Sequence, residues 1–448
     1  MKLKRTMLAA LVFALAGFAS LSLLPHAAAG QDQPAAAAPK YTRPEYDAYQ
    51  AAAAEKSPQQ KIKLLDDFVA KYPTSELLVN VYAEYVKAYQ ETHNWAKLID
   101  TYDKFLALPS IDANARVTAL FSRAQTFEFA YNPKDPNAKE QINKARAAAQ
   151  EGLKSLDKVT KPANATDEQF ATTKKAITLQ FYNTDGFAAL QQKEYKAAIE
   201  AFHASLALDP KQPTTAYRLG LADLQQEPPL SLPGFWAVAQ AINLKIPDDA
   251  RVQKYLRQQI VKYENPSCEN QIDAQVKELI SLSATAAEPP ADYTIPSRAD
   301  LDKVLQGSTI VTVLADLKAG GAKGKLTWLA VCSGKFPEVL AKAYEVTPGT
   351  DSVVIKAFVG TTQEEVDAST APNSELKVVG QADAARIEKG TVFRFGGALV
   401  DYTPDPYLVK WDEVKVNVED IPAAKGGAKK PGKAGKAPSK HPAKKRPR

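Results

Sequence analysis

Histidine comes first, because general acid–base and metal chemistry at neutral pH depend on it most. The 448-residue chain has four. His26 and His441 lie in the two terminal segments, so only His93 and His203 are available to a folded body. His93 sits in a turn-like stretch, ETHNW, and His203 sits beside Phe202 in a helical pattern. There is no H-E-x-x-H, no C-x-x-C and no G-x-S-x-G, so neither a zinc site nor an activated serine is signalled. The acidic pairs Asp66-Asp67, Asp248-Asp249 and Glu364-Glu365 fall in polar stretches, and nothing in the sequence brings them together. KAGGAKGKLT invites a phosphate-loop reading and fails it. Ala319 takes the first glycine position, and Leu326 follows Gly324-Lys325 where a metal-binding hydroxyl belongs. Its flanks read as strands, so the expectation is a β-hairpin turn. The two cysteines, Cys268 and Cys332, either pair in an oxidising compartment or remain two buried thiols.

Catalysis by a metal, a cofactor or a nucleophile is therefore not the expectation, and the chain reads as non-enzymatic. An enzyme would need Lys325, Asp401, Tyr402, Asp405 and Lys410 gathered around one pocket.

The elements that could position a binding surface are clearer. Between Leu179 and Pro210, the residues Tyr182, Gly186, Ala198, Phe202 and Pro210 are spaced as in a helix–turn–helix unit. Gly220 falls where Gly186 would recur one such unit later. Small residues there let two helices approach, and Tyr182, Leu190, Ile199, Phe202 and Leu206 fill the space between. Earlier, Lys63-Leu64-Leu65-Asp66 is echoed by Lys97-Leu98-Ile99-Asp100 at that same step, and Phe68 by Tyr102. Each echo ends at a proline, Pro73 or Pro109, where a helix must stop. LLVNVYAEYVKAYQ supplies the intervening helix.

On these residues the chain resembles the tetratricopeptide repeat family. The resemblance is clearest over residues 179–225 and 57–109, fainter near 112–130 and 137–156, and covers about half the chain. Ser205 stands where alanine is usual, Asp185 where leucine is usual, and QQEPPLSLPG interrupts the last unit. The resemblance implies an irregular solenoid whose first helices line a groove for a protein partner. Gln180, Asn183, Phe187 and Gln191 would face that groove, with Thr214, Tyr217, Arg218 and Leu221 from the next unit. Alternatively, these side chains pack against the neighbouring repeat or the β domain. The family's clamp for a terminal carboxylate is not implied: Asn183 and Phe187 replace its first lysine and asparagine, and only Arg218 fits.

After a helix at residues 270–284 and a Pro/Ala linker, the period changes from helical to alternating. TIVTVLADL, KLTWLAVCS, SVVIKAFVG, ELKVVGQA, TVFRFGGALVDY and YLVKWDEVKVNV read as β-rich segments. Ser297 caps a short helix reaching Leu305. The expectation for residues 297–422 is a small mostly-β barrel or sandwich. Its strand count and Gly396-Gly397 kink resemble the oligomer-binding barrel class. The fold class is thus α+β and multidomain: a repeat domain at 44–265, a helix and linker at 266–296, then the β domain.

The termini differ from the body. Residues 1–29 combine Lys2, Lys4 and Arg5, an apolar run and an Ala27-Ala28-Ala29 site, as an export signal does. An uncleaved anchor is the alternative, and either way the body is expected outside the cytoplasm, in the periplasm or envelope, with residues 30–43 as a linker. Residues 423–448 carry ten Lys or Arg and no acid. Subtracting +3 for the signal and +10 for this tail from the chain's +6 leaves the body near −7. A segment of Ala, Gly, Pro and Lys cannot bury a core, so the tail is expected to be disordered. Lys429, Lys430, Lys433, Lys436, Lys440, Lys444, Lys445, Arg446 and Arg448 would bind an anionic wall or membrane polymer. Export makes nucleic acid the less available polyanion. The leading expectation is an envelope scaffold or adaptor binding a protein through its repeats. The alternative is a polyanion-binding protein acting through tail and barrel.

Overall fold

Helix hairpins can pack closely only where side chains are missing, and the two recurring glycines are such places. In a computed structural model describing residues 40–269 and 271–423, a β-carbon on Gly186 would lie 2.6 Å from the Phe202 ring. One on Gly220 would lie 2.6 Å from Val238 and 2.7 Å from the Gly234 carbonyl oxygen. The export signal and the basic tail lie outside the described residues, apart from Ala423.

The chain forms two units, residues 1–110 and 111–448. The first contains α1 (Arg43–Ala54), α2 (Pro58–Lys71), α3 (Leu78–Glu91) and α4 (Trp95–Leu106). Thr42, Ser57 and Asn94 cap three of them by accepting backbone N–H bonds. The repeated residues share one environment: Leu65 and Ile99 are buried, as are Phe68 and Tyr102. Buried Glu84 is held by Lys61 at 2.7 Å and Lys87 at 2.5 Å. Burial pushes its carboxyl upward, but those bonds outweigh burial and hold it below its ordinary range.

The second unit begins with α5 (Ala113–Ala130), α6 (Ala138–Ser155), α7 (Asp167–Gln191), α8 (Tyr195–Leu208), α9 (Pro213–Gln225), α10 (Ser231–Asn243), α11 (Asp249–Glu264) and α12 (Ile272–Ser283). Each helix packs on the next, as in a tetratricopeptide-like solenoid. The Pro-rich stretch expected to interrupt the array forms the turn between α9 and α10 and the first residues of α10, and the two helices pack closely through Gly220 and Gly234. Helices α7 and α10 end alike. Lys193 (φ 63°) and Lys245 (φ 62°) adopt the left-handed conformation, and the following residue's N–H bonds back to Ala189 or Ala241. In the first unit His93 (φ 54°) ends α3 in the same way.

The C-terminal part contains α13 (Arg298–Gly307), α14 (Ile310–Ala319) and α15 (Gly321–Val331). They precede β1 (Lys335–Pro348), β2 (Ser352–Gly360), α16 (Gln363–Ala368), β3 (Ser374–Val379), β4 (Val392–Pro404) and β5 (Tyr407–Val416). The strands close in the order β1-β2-β3-β5-β4, with β3 and β5 parallel and the other pairs antiparallel. Five strands and closure agree with the oligomer-binding class in outline. At the kink, a β-carbon on Gly396 would lie 2.8 Å from the Pro337 carbonyl oxygen, so only glycine lets β4 cross β1 there. Leu301, Val313, Leu317 and Trp328 of the helices share one core with Ile355, Leu376, Phe395 and Trp411 of the barrel.

Two expectations are corrected. TIVTVLADL and KLTWLAVCS are helices α14 and α15, not strands. Thr309 caps α14 through Thr312, and Val313, Leu314 and Leu317 turn inward at helical spacing, which overrides the β-branched composition. Consequently KAGGAKGKLT is not a β-hairpin: Gly320 (φ 65°) and Gly321 (φ 61°) join two helices. Strand β1 carries no clear sequence signal, because its inward positions include Ala341 and Ala343, residues of low β propensity.

Gly220→Ala is expected to cost about 2 kcal/mol, because the new methyl meets backbone and must push α10 away. Gly307→Ala meets no atom within 4 Å and should stay within about 0.5 kcal/mol of the parent. Urea unfolding of the two variants checks both values.

Candidate partner-binding face

Helices α5, α7, α9 and α11 are the first helices of successive pairs, and α7 touches both α5 and α9. Their shared face carries a polar–aromatic cluster. Arg218 Nη1 lies 3.2 Å from Glu128 Oε2, and its guanidinium sits 4.2 Å above the Phe187 ring. Phe187 in turn meets Phe127 at 6.0 Å and the edge of Tyr131 at 5.7 Å. Gln180 donates to Glu128 and to Thr184, each at 3.0 Å. The cluster thus ties three helices together. Its ion pair is only partly shielded, with Arg218 and Glu128 side chains 19% and 21% exposed.

Beside Arg218 on α9, Tyr217 packs edge-on against Tyr255 of α11, with ring centroids 6.0 Å apart. A cavity of about 250 Å³ lies beside them, lined also by Arg251, Val252, Lys254 and Gln258. Burial raises both phenols, Tyr255 to about 12, while Arg251 partly offsets the rise at Tyr217. Both tyrosines remain neutral donors at neutral pH.

The sequence-derived face therefore divides. Gln180, Phe187 and Arg218 converge around Glu128, and Tyr217 joins Tyr255. Gln191 and Thr214 are exposed. Leu221 instead packs against the α7–α10 core. Asn183 is an internal strut: it donates to Gln212 at 2.8 Å and accepts from Ser205 at 2.8 Å and Thr215 at 3.0 Å. Those bonds account for Ser205 in place of alanine. Asp185 is explained likewise, accepting from Arg146 and Gln150 at 3.1 Å each. Sequence reasoning misses Glu128, Tyr131, Arg251 and Tyr255. For two of them a signal exists: Arg251 and Tyr255 repeat the positions of Tyr217 and Leu221 one unit further along. Glu128 and Tyr131 lie where the repeat is faint and no offset points to them.

Other candidates lie elsewhere. Cys268 and Cys332 are joined as a disulfide, with Cα atoms 5.8 Å apart. The five side chains an enzyme would need do not gather. Lys325 and Tyr402 line one cavity, Asp401 and Lys410 pair with each other at 3.0 Å, and Asp405 is exposed in the β4–β5 turn. The acidic pairs serve local structure: Asp66 accepts the Tyr85 hydroxyl at 2.5 Å, Asp248 pairs with Arg251, and Glu365 accepts from Thr361. His203 is exposed on α8.

No protein-family model matches the chain, and no curated protein matches it. Among solved structures it is similar to the C-terminal part of a TPR repeat-containing protein from Cytophaga hutchinsonii. The two share 15% identity over 55% of this chain and 96% of that one, with a TM-score of 0.23.

Two buried carboxyls belong to the helices of this face. Burial raises Asp223 of α9 to about 7 and Glu264 of α11 to about 7, the latter despite a bond from Gln275. A raised pKa means the folded state holds a proton that the unfolded state has already lost. Stability contributed by the neutral forms is therefore present below about pH 4.5 and lost as pH rises to about 7, at up to about 1.4 kcal/mol per pH unit for each group. Carboxyls held low, such as Glu84 and Asp420, act below that window. Melting temperature should fall from pH 5 to pH 8, and Asp223→Asn with Glu264→Gln should flatten that fall. Equal slopes in parent and variant would refute the assignment.

Proposed function

We propose that the protein is a non-enzymatic scaffold or adaptor of the cell envelope, binding another protein through the face built by α5, α7, α9 and α11. The supporting observation is the set of Phe187, Arg218, Tyr217 and Tyr255 on one run of packed helices. Arginine and aromatic side chains held by a rigid framework are the types that dominate binding energy at protein interfaces. A solenoid also presents much surface per residue. In this reading the export signal delivers the body outside the cytoplasm, and the tail tethers it to an anionic polymer.

The sequence also supports a second reading, because the ten cations of residues 423–448 could themselves be the binding element. The two readings separate in one capture experiment. The mature chain, a version lacking residues 423–448 and Tyr217→Ala are each used to capture partners from envelope extract at low and physiological salt. The scaffold reading expects one defined protein with the first two baits at both salts, and at least tenfold less with Tyr217→Ala. Capture that vanishes with the tail or with salt would overturn it.

A further inference from the structure

The cavity between Tyr217 and Tyr255 differs chemically from the body around it. Between its basic termini the chain is net negative, yet two cations, Arg251 and Lys254, line this cavity and no acid does. The arrangement follows from helical spacing. Arg251, Lys254, Tyr255 and Gln258 stand at i, i+3, i+4 and i+7 on α11, so they share one face, and Tyr217 closes the cavity from α9. Asp249, in the first turn of the same helix, falls outside that series. Arg251 is near enough to the Tyr217 phenol to offset part of the rise that burial causes.

These groups select an anion. Each polar side chain of the lining can donate: two phenols, a guanidinium, an ammonium and an amide. A carboxylate accepts from several of them at once, and bonds to a charged acceptor are roughly twice as strong as neutral ones. An amide of the same shape makes only weaker bonds there, and an ammonium is repelled.

Size and charge narrow the choice. The volume, about 250 Å³, is below the range of about 300–1,000 Å³ typical of small-molecule sites, and suits one side chain of a larger partner. Asp248 pairs with Arg251 Nε at 3.0 Å, with side chains 57% and 79% exposed. That exposed contact is worth little, but its charge leaves a local excess of one positive charge over Arg251 and Lys254. One excess charge matches a carboxylate better than a doubly charged phosphate.

We propose that this cavity is the acid-reading subsite of the partner-binding face, and that it takes one aspartate or glutamate side chain from an extended segment of the partner. The proposal rests on the scaffold reading and adds to it the chemistry of the partner.

The test is a titration followed by NMR of the mature chain with ring-labelled tyrosine, reading Tyr217 and Tyr255. The probes are acetylated, amidated pentapeptides of alanine with glutamate, glutamine or lysine at the centre, so that the only carboxylate is the glutamate side chain. A fourth probe is inorganic phosphate. The glutamate peptide should shift both tyrosines and bind at least fivefold more tightly than the glutamine peptide, and the lysine peptide should bind least. Lys254→Glu should reverse that order, which damage to the fold cannot do. No shift at millimolar glutamate peptide, equal affinity for the glutamate and glutamine peptides, or tighter binding of phosphate would overturn the proposal. The titration needs no captured partner. Its failure therefore leaves the scaffold reading to the extract experiment, and failure of that experiment leaves the subsite to this one.

Discussion

The close approach of paired helices at Gly186 and Gly220 is the constraint on which the second unit depends. With no side chain at those points, Phe202 and Val238 fill the gap and fix how α7 meets α8 and how α9 meets α10. The consequence reaches the surface. Because α7 and α9 are set side by side, Phe187 and Arg218 can stack, and Glu128 of α5 can pair with Arg218. A small shift of one of these helices would part an ion pair 3.2 Å long. The proposed binding face is therefore a product of packing behind it.

Polar ties reinforce the same geometry. Asn183, Ser205, Gln212 and Thr215 form a part-buried knot joining α7, α8 and α9, and Asp185 is tied to α6 through Arg146. Ser205 and Asp185 are positions where the sequence leaves the common repeat pattern. Such departures record pairwise contacts peculiar to this chain, and each requires a partner elsewhere in the sequence to be satisfied.

Legibility follows how local the cause is. The hairpins are readable because glycine, large apolar residues and proline recur at a fixed step. Helix α13 is readable from Ser297, the expected cap, which forms a capping box with Asp300. Helices α14 and α15 are not, since Ile310-Val311-Thr312-Val313 has strand composition, and the Thr309 cap together with burial of Val313, Leu314 and Leu317 decides the outcome for α14. Strand β1 escapes because its barrel-facing alanines look ordinary one by one. At the site, Phe187, Tyr217 and Arg218 come from repeat position, whereas Glu128 is 90 residues from Arg218 and no periodicity joins them. The pairing of Cys268 with Cys332 is one of two open readings of the sequence, since spacing alone does not bring distant cysteines together.

The central claim is that the first-helix face, and not the barrel or the tail, meets a protein partner. Its most direct test places a photocrosslinking amino acid at exposed Gln191, beside the face, and separately at Val418, 71% exposed beyond β5. Irradiation in intact envelopes, followed by mass spectrometry, reads out the neighbours. The account predicts one defined protein crosslinked from position 191 and absent from position 418. Crosslinks to a protein from position 418 alone would contradict it.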